Sequence, residues 1–321
     1  MRDWARHTHG SPLYAHLVEV IANDEELMRV INRIAHRPPP NLLFGGVQYL
    51  IGADDELARY YLPLTDHPLS PEGAGPAFRS FVLSHEEELI DIGNTRYTQT
   101  NECRRCVALL PMVMMSRFDS FHLVDLGTSA GLNLALDLYR YRIGEVEWGP
   151  ESEVHLTAES RGVTPALGDI DVLSRTGLDL NPIDPSNKDH RRWLDALIWP
   201  EHSLRRHRLR AALDMVASVP VQLIAGDALT TLGDVLAGLP PGEAAVVMNS
   251  FTLIQFTPEQ RDMLETIVEG AREQRPVHRV SMEVLMKQDD WTRLAVDSGD
   301  GMKQVGQAHA HGEWIELYAR P

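Results

Sequence analysis

Cysteine is almost absent from this chain: its 321 residues hold two, Cys103 and Cys106, and a lone CRRC pair has no second pair to complete a four-ligand zinc site. A redox role would need a low-pKa thiol at a helix start. In NECRRCVALLPMVMM both thiols read instead as small hydrophobes filling space in a helix. Positive charge is scarce as well. Lys+Arg number 30 against Asp+Glu 46, a formal net charge of -16, so there is no basic face for a phosphate backbone and nucleic acid is not an expected partner. Long apolar runs are also missing. VALLPMVMM, from Val107 to Met115, falls far short of the ~20 residues a membrane span requires, and MRDWARHTHGSPLY lacks the pattern of a leader. These absences predict a soluble, cytoplasmic protein with no membrane partner. What is present, 43% hydrophobic residues over 321 positions, suffices for a large core in one elaborated domain, or in one domain with a smaller companion.

Along the chain the texture changes once. SPLYAHLVEVIANDEELMRVINRIAHR carries apolar residues at helical spacing, with a break at Asn23 that fits an N-cap because Glu26 follows three residues later. Pro38, Pro39 and Pro40 end this stretch. NLLFGGVQYLIGADDELARYYL and FRSFVLSHEEELIDIGN read as further helices around the loop PLTDHPLSPEGAGPAF, so 1–118 is expected to be an all-helical region. From 119 to 321 strands alternate with helices. The expected strands are FHLVDLG, GLDLN near Asp179, VQLIAGD, AAVVMNS and PVHRVSMEVL; SNKDHRRWLDALIW and TPEQRDMLETIVEGA are helices, the latter opening with Thr257, Pro258 and Gln260. The alternation predicts an α/β fold with a doubly wound, mostly parallel sheet. The tail, with SGDG as a turn, reads as antiparallel strands closing one edge, and a hairpin is expected as an insertion near 143–175.

FHLVDLGTSAGLNLALDLYRY, Phe121 to Tyr141, is the most informative segment. An apolar strand enters a glycine-flanked turn and then a stretch patterned as an amphipathic helix, which is the layout of a nucleotide-binding crossover. Asp125 is the telling residue. A carboxylate near the end of a buried central strand is costly unless a ligand's amino group or a backbone donor meets it.

These segments resemble a family. DLGTSAG, GLDLNP and AGDAL resemble, in order, the first three strand-end motifs of class I S-adenosylmethionine-dependent methyltransferases. More narrowly, PPPNLLFGGVQYL, RYTQTNECRRCVALLP, LGTSAGLNLALDLYRYRIG, GLDLNPID, RWLDALIWP and AHGEWIEL resemble, over nearly the whole chain, a bacterial family of uncharacterised proteins with a methyltransferase-like Rossmann core. The resemblance implies S-adenosylmethionine as cofactor and a small-molecule or protein acceptor. It implies that Asp125 receives the ligand's ammonium, that Gly127, Thr128, Ser129 and Gly131 pass under its methionine part, and that Asp179 accepts from the ribose hydroxyls. Asp227 with the Ala228 amide would meet the adenine edge, and Asn249 and Ser250 would face the transferring methyl. Gln99 and Asn101, in TQTNE, are candidates for the same crevice, and His309 or His311 of HAHG is the candidate base. No metal is expected, since two histidines have no third ligand.

The departures are specific. Ser129 stands where the pattern has its middle glycine, 52 positions separate Gly127 from Asp179 where about 20 is usual, and no NPPY-type sequence follows the fourth strand. Each acid also has a local alternative: Asp125 fits a cap for local amides of the turn, Asp179 fits the start of a turn with Asn181 and Pro182, and Asp227 fits a helix N-cap. GTSAG is also a G-x-S-x-G elbow, which would make Ser129 the nucleophile of a serine hydrolase with Asp227 and His309 or His311 behind it. Asp125 argues against that, because a neighbouring carboxylate disfavours an oxyanion. A catalytically inert cofactor-binding module is the remaining alternative.

Overall fold

The computed structural model describes residues 10–284 and 291–318. Residues 1–9, where no leader pattern is read, and Leu285, the end of the strand expected after Pro276, lie outside them. The described helices are α1 (Pro12–Ala22), α2 (Glu25–Asn32), α3 (Pro39–Leu50), α4 (Gly75–Ser84), α5 (Glu86–Thr95), α6 (Cys106–Met114), α7 (Lys188–Ala196), α8 (Ser203–Ser218), α9 (Ala228–Ala237) and α10 (Pro258–Arg272). The strands are β1 (Ser120–Leu126), β2 (Arg140–Ile143), β3 (Val146–Trp148), β4 (His155–Gly162), β5 (Asp171–Asp179), β6 (Gln222–Ala225), β7 (Ala245–Ser250), β8 (Val277–Glu283), β9 (Trp291–Asp297), β10 (Lys303–His309) and β11 (Trp314–Leu317). No described helix is long and apolar enough to cross a membrane. The chain divides into two compact units, 1–100 with 188–210, and 101–187 with 211–321.

The first unit is helical. Asp24, rather than Asn23, caps α2, its Oδ1 accepting from Glu26 N at 2.9 Å and Leu27 N at 3.1 Å, while Asn23 closes α1. The side chain one residue nearer the helix reaches both orphan amides, which decides the cap. Pro39 and Pro40 sit in the first turn of α3, where the missing N–H has no role to lose. The single helix expected over FRSFVLSHEEELIDIGN is two, broken at His85. Leu17, Leu27, Leu42, Phe78 and Leu89 form the core, and Trp193 of α7 joins them.

The second unit is built on an eleven-stranded sheet in the order β3-β2-β4-β11-β10-β9-β8-β7-β1-β5-β6. Six of the ten described pairings are parallel, so the sheet is mixed but mostly parallel. Its five contiguous strands β6-β5-β1-β7-β8 all run one way, and by chain order within that set they read third, second, first, fourth, fifth. Direction of winding therefore reverses at β1, a topological switch point with its crevice outside the carboxyl ends of β1 and β7. Val124, Leu126 and Val247 pack on one face against Leu229 and Leu232 of α9 and Leu264 and Val268 of α10. On the other face 132–138 packs on β1 and β5, and α6 on β8, β9 and β4.

Two expectations for this unit change. The C-terminal strands do not close an edge, because β11 pairs with β4 and the sheet continues through β2 to β3. The amphipathic α-helix expected after the glycine turn is a 3-10 stretch, 132–138, with non-helical torsions at Ala135. Its carbonyls are claimed from elsewhere: Tyr139 Oη donates to Leu132 O at 2.6 Å, Tyr141 Oη to Leu136 O at 2.5 Å and Arg175 Nη1 to Leu134 O at 2.7 Å. Side-chain donors thus replace the i+4 amides that an α-helix would supply, and the chain turns directly into β2.

Candidate site at the switch point

The turn after β1 is held from both sides. Gly127, Ser129 and Gly131 all have positive φ (72°, 52° and 76°), and Gly127 N donates to Leu178 O at 2.8 Å. A Cβ on Gly127 would stand 2.2 Å from Thr252 Oγ1, and that hydroxyl donates to Leu126 O at 2.7 Å. Glycine is therefore required at 127 by the close approach of the loop that follows β7. Asp179 Oδ2 accepts from Ser129 N and its Oδ1 from Asn181 N, each at 2.8 Å. The carboxylate thus opens its own turn and also fastens the neighbouring one. Asn101 Nδ2 donates to Ser129 Oγ at 3.0 Å, and Asn101 Oδ1 accepts from Ala130 N at 3.4 Å. Gln99 falls in the helical unit.

Asp125 is 1% exposed, opposite Gly177 of β5 and Met248 of β7. Burial pushes its carboxyl up to about 7; the charge of Asp179 adds to this, while Thr128, Asn133 and Arg105 pull the other way. A Cβ on Gly177 would meet Thr128 Cγ2 at 2.4 Å, so Thr128 occupies the space above Gly177 on the face where Asp125 projects. Ser250 is two residues beyond Met248 and shares that face. Asp125 Oδ2, Thr128 Oγ1 and Ser250 Oγ are all buried without a partner at full hydrogen-bonding geometry among the described residues, although Thr128 and Asn133 stand close enough to Asp125 to lower its pKa as hydrogen-bonding groups. Buried polar atoms are nearly always paired, so these three oxygens leave unused hydrogen-bonding capacity beside one crevice.

Asn249 is fixed on the opposite face. Its Nδ2 donates to Ser281 Oγ at 3.0 Å and to Glu283 Oε1 at 2.8 Å, which leaves its buried Oδ1 unpaired. Glu283, at the tip of β8, escaped the sequence reading. Its Oε1 also accepts from Thr252 N at 2.8 Å and Leu253 N at 3.0 Å, and its Oε2 from Ile254 N at 3.3 Å. Burial raises its pKa, against the pull of those donors. An acid ending the apolar strand VHRVSME is the same signal that singled out Asp125. Phe251, between Asn249 and this clamped loop, has φ +58°; Ser129 and Phe251 are the non-glycine residues with positive φ in the two loops of the crevice.

The other candidates sit further along the same edge. Asp227 is exposed and caps α9, its Oδ1 accepting from Leu229 N at 2.9 Å, with Ala228 buried behind it. His309 ends β10, three strands from β7, with its Nδ1 4.0 Å from Glu313 Oε2, and His311 N donates to His309 Nδ1 at 3.3 Å. Ala310 O between them accepts from Arg105 Nε at 3.2 Å. Cys103 and Cys106 are buried, and burial raises the Cys106 thiol, so they fill space as expected. Among the described residues no cluster of His, Cys, Asp and Glu could hold a metal ion. A cleft of about 840 Å³ between Val172–Thr176, Val219–Gln222 and the end of α9 lies toward the amino half of β5 and includes none of these acids.

Sheet order and switch point together define a mixed α/β protein whose large sheet is mostly parallel, with a crevice at the carboxyl edge of β1 and β7. The chain belongs to the family described as an uncharacterized protein conserved in bacteria (DUF2332), which matches residues 1–317 and agrees with the resemblance to an uncharacterised bacterial family, though not with any particular core. A search of curated proteins returns no match.

Proposed function

We propose that this protein binds S-adenosylmethionine at the carboxyl edge of β1, β5, β6 and β7 and transfers its methyl group to a small-molecule or protein acceptor. The observation that carries the reading is the set of partnerless buried oxygens, Asp125 Oδ2, Thr128 Oγ1 and Ser250 Oγ, beside the switch point. A buried carboxyl with two hydroxyls, Thr128 and Ser250, beside it suits an ammonium group, which has three donors and a charge that Asp125 can balance. Asp179 holds the turn with both oxygens, yet a carboxylate has about four acceptor sites, so it retains capacity for a ribose diol. The residues therefore fit the amino acid and ribose ends of the cofactor.

When bound, the sulfonium supplies the methyl group, and the protein's share is positioning. Asp125 neutralises and orients the amino acid end. Glu283 fixes the Asn249 amide so that its Oδ1 accepts from a donor on the acceptor, and Thr252, seated on Gly127, sets how far the two loops stand apart. Ser129 Oγ pairs with Asn101 and Asp227 with Leu229 N, the contacts of a turn and a cap rather than of a hydrolase triad. Titration calorimetry with S-adenosylmethionine and S-adenosylhomocysteine tests the reading. Binding that is lost in Asp125→Ala and Asp179→Ala with folding intact supports it, and absence of binding by the wild-type protein rejects it. Binding without turnover across amine, hydroxyl and carboxyl acceptors would instead mark an inert cofactor-binding module.

A further inference from the structure

The amino ends of the parallel strands carry a second set of reactive side chains, at the other end of β1 from the crevice. His122, early in β1, is 6% exposed and bonded at both ring nitrogens. An ionised carboxylate can only accept, so Nε2 donates to Glu243 Oε2 at 2.6 Å, and Nδ1, bare in the neutral ring, accepts from Ser174 Oγ of β5 at 2.7 Å. The backbone that carries Glu243 is clamped. The buried Arg275 donates from Nη1 to Pro240 O at 2.9 Å and Glu243 O at 3.3 Å, and from Nη2 to Leu239 O at 3.0 Å.

A buried histidine bonded at both nitrogens is common packing; the strand beside it and the cleft set this one apart. Phe121 faces Val172 but His122 faces Ser174, so β5 bulges at Leu173. The extra residue turns Ser174 to the face of His122, and without it the serine would point through the other side of the sheet. Half-buried Ser174 also lines the cleft of about 840 Å³ between β5, β6 and α9, whose walls include Val172, Val219, Val221, Ile224 and Leu239. Gln222 of β6, opposite Thr176, lines it too.

We propose that Ser174, His122 and Glu243 form an esterase site for small carboxylic esters with an apolar acyl group. Ser174 Oγ bonds to the acyl carbon as its proton passes to His122 Nδ1, the ester C–O bond breaks, and the leaving alkoxide takes that proton. Water then adds to the acyl carbon, giving a proton to His122, and the carboxylic acid departs as Ser174 regains its hydroxyl hydrogen. Glu243 is a positioning residue that keeps the ring proton on Nε2. The two nitrogens exchange the places they hold in the common triad, and the proton path is the same. Gln222 has a side-chain amide to donate to the oxyanion.

The site is independent of the cofactor reading, and fluorophosphonate labelling of the full chain with peptide mapping tests it. One adduct is expected, on Ser174. Ser129→Ala should label as the wild type does, Ser174→Ala should not label, and His122→Gln should label at least about a hundredfold more slowly. With p-nitrophenyl butyrate, Glu243→Gln should lower kcat at unchanged KM, and Glu243→Asp should recover part of the loss. A folded wild-type protein without an adduct on Ser174, hydrolysis that survives in Ser174→Ala, or undiminished labelling of His122→Gln would each overturn the inference. If His122→Gln does not fold, Ser174→Ala decides.

Discussion

Asp125 concentrates the physics of the site. Its carboxyl, held at about 7 by burial, titrates near 3.9 in an unfolded chain, so between those values the folded state keeps a proton that the unfolded state has released. The contribution of Asp125 to stability is therefore most favourable below about pH 4, declines by roughly 4 kcal/mol as pH rises to about 7, and is flat beyond, on top of the opposite trend of carboxylates with lowered pKa such as Asp297. Asp125→Asn should remove this decline and raise the melting temperature at pH 8 while changing little at pH 4; a decline that persists in the variant assigns it to another group. Binding an ammonium should expel the proton, so that near pH 6 the calorimetric heat depends on the buffer's ionisation enthalpy. Gly127 offers a second check. Gly127→Ala should cost about 2–4 kcal/mol, from φ +72° and the approach of Thr252, and the cost should shrink in a Thr252→Ala background. An undiminished cost would mean that backbone strain alone demands the glycine. Asp125 stood out in the sequence because a charge on the apolar run FHLVDL is costly to bury. Arg105 did not, because its contacts are with Phe251 and Ala310, distant in sequence.

Elements were legible where their determinants are local. The Thr257–Gln260 capping box of α10 is present as read, since both of its bonds lie within four residues. Four of the five parallel core strands were announced by their apolar runs, whereas of β5, Asp171–Asp179, only the end at GLDLN was read and most of it fell in the expected insertion near 143–175. The 3-10 stretch 132–138 was not legible, because a donor from β5, Arg175, and the two tyrosines of the next strand compete for its carbonyls. Glu283 illustrates the same limit from the other side: four donors converge on one carboxylate, and three are backbone amides of the loop after β7. Glu283→Ala should destabilise the protein by about 3 kcal/mol, since it leaves several buried donors unpaired. Chemical denaturation measures it, and a change under 1 kcal/mol would show that this loop does not depend on the clamp.

For the whole molecule, a run of parallel strands was predictable from alternation, whereas the full sheet order was not. β4 joins β11 across more than 150 residues of chain, and nothing in ESRG or WIEL specifies that pairing. Residues 188–210 likewise join the helical unit although they lie between two strands of the sheet, a partition written in packing partners such as Trp193. A ligand that binds only the folded sheet should raise its unfolding free energy by about 2.7 kcal/mol at a hundred times its dissociation constant, a shift of ~5–10 °C in melting temperature for a unit of this size. The most direct test of the central claim is a crystal structure grown with S-adenosylhomocysteine. The prediction places the ligand across the tips of β1, β5 and β7 with its ammonium in hydrogen-bonding reach of Asp125 Oδ2. Ligand density anywhere else on the sheet, or Asp125 still without a partner in a saturated crystal, would contradict it.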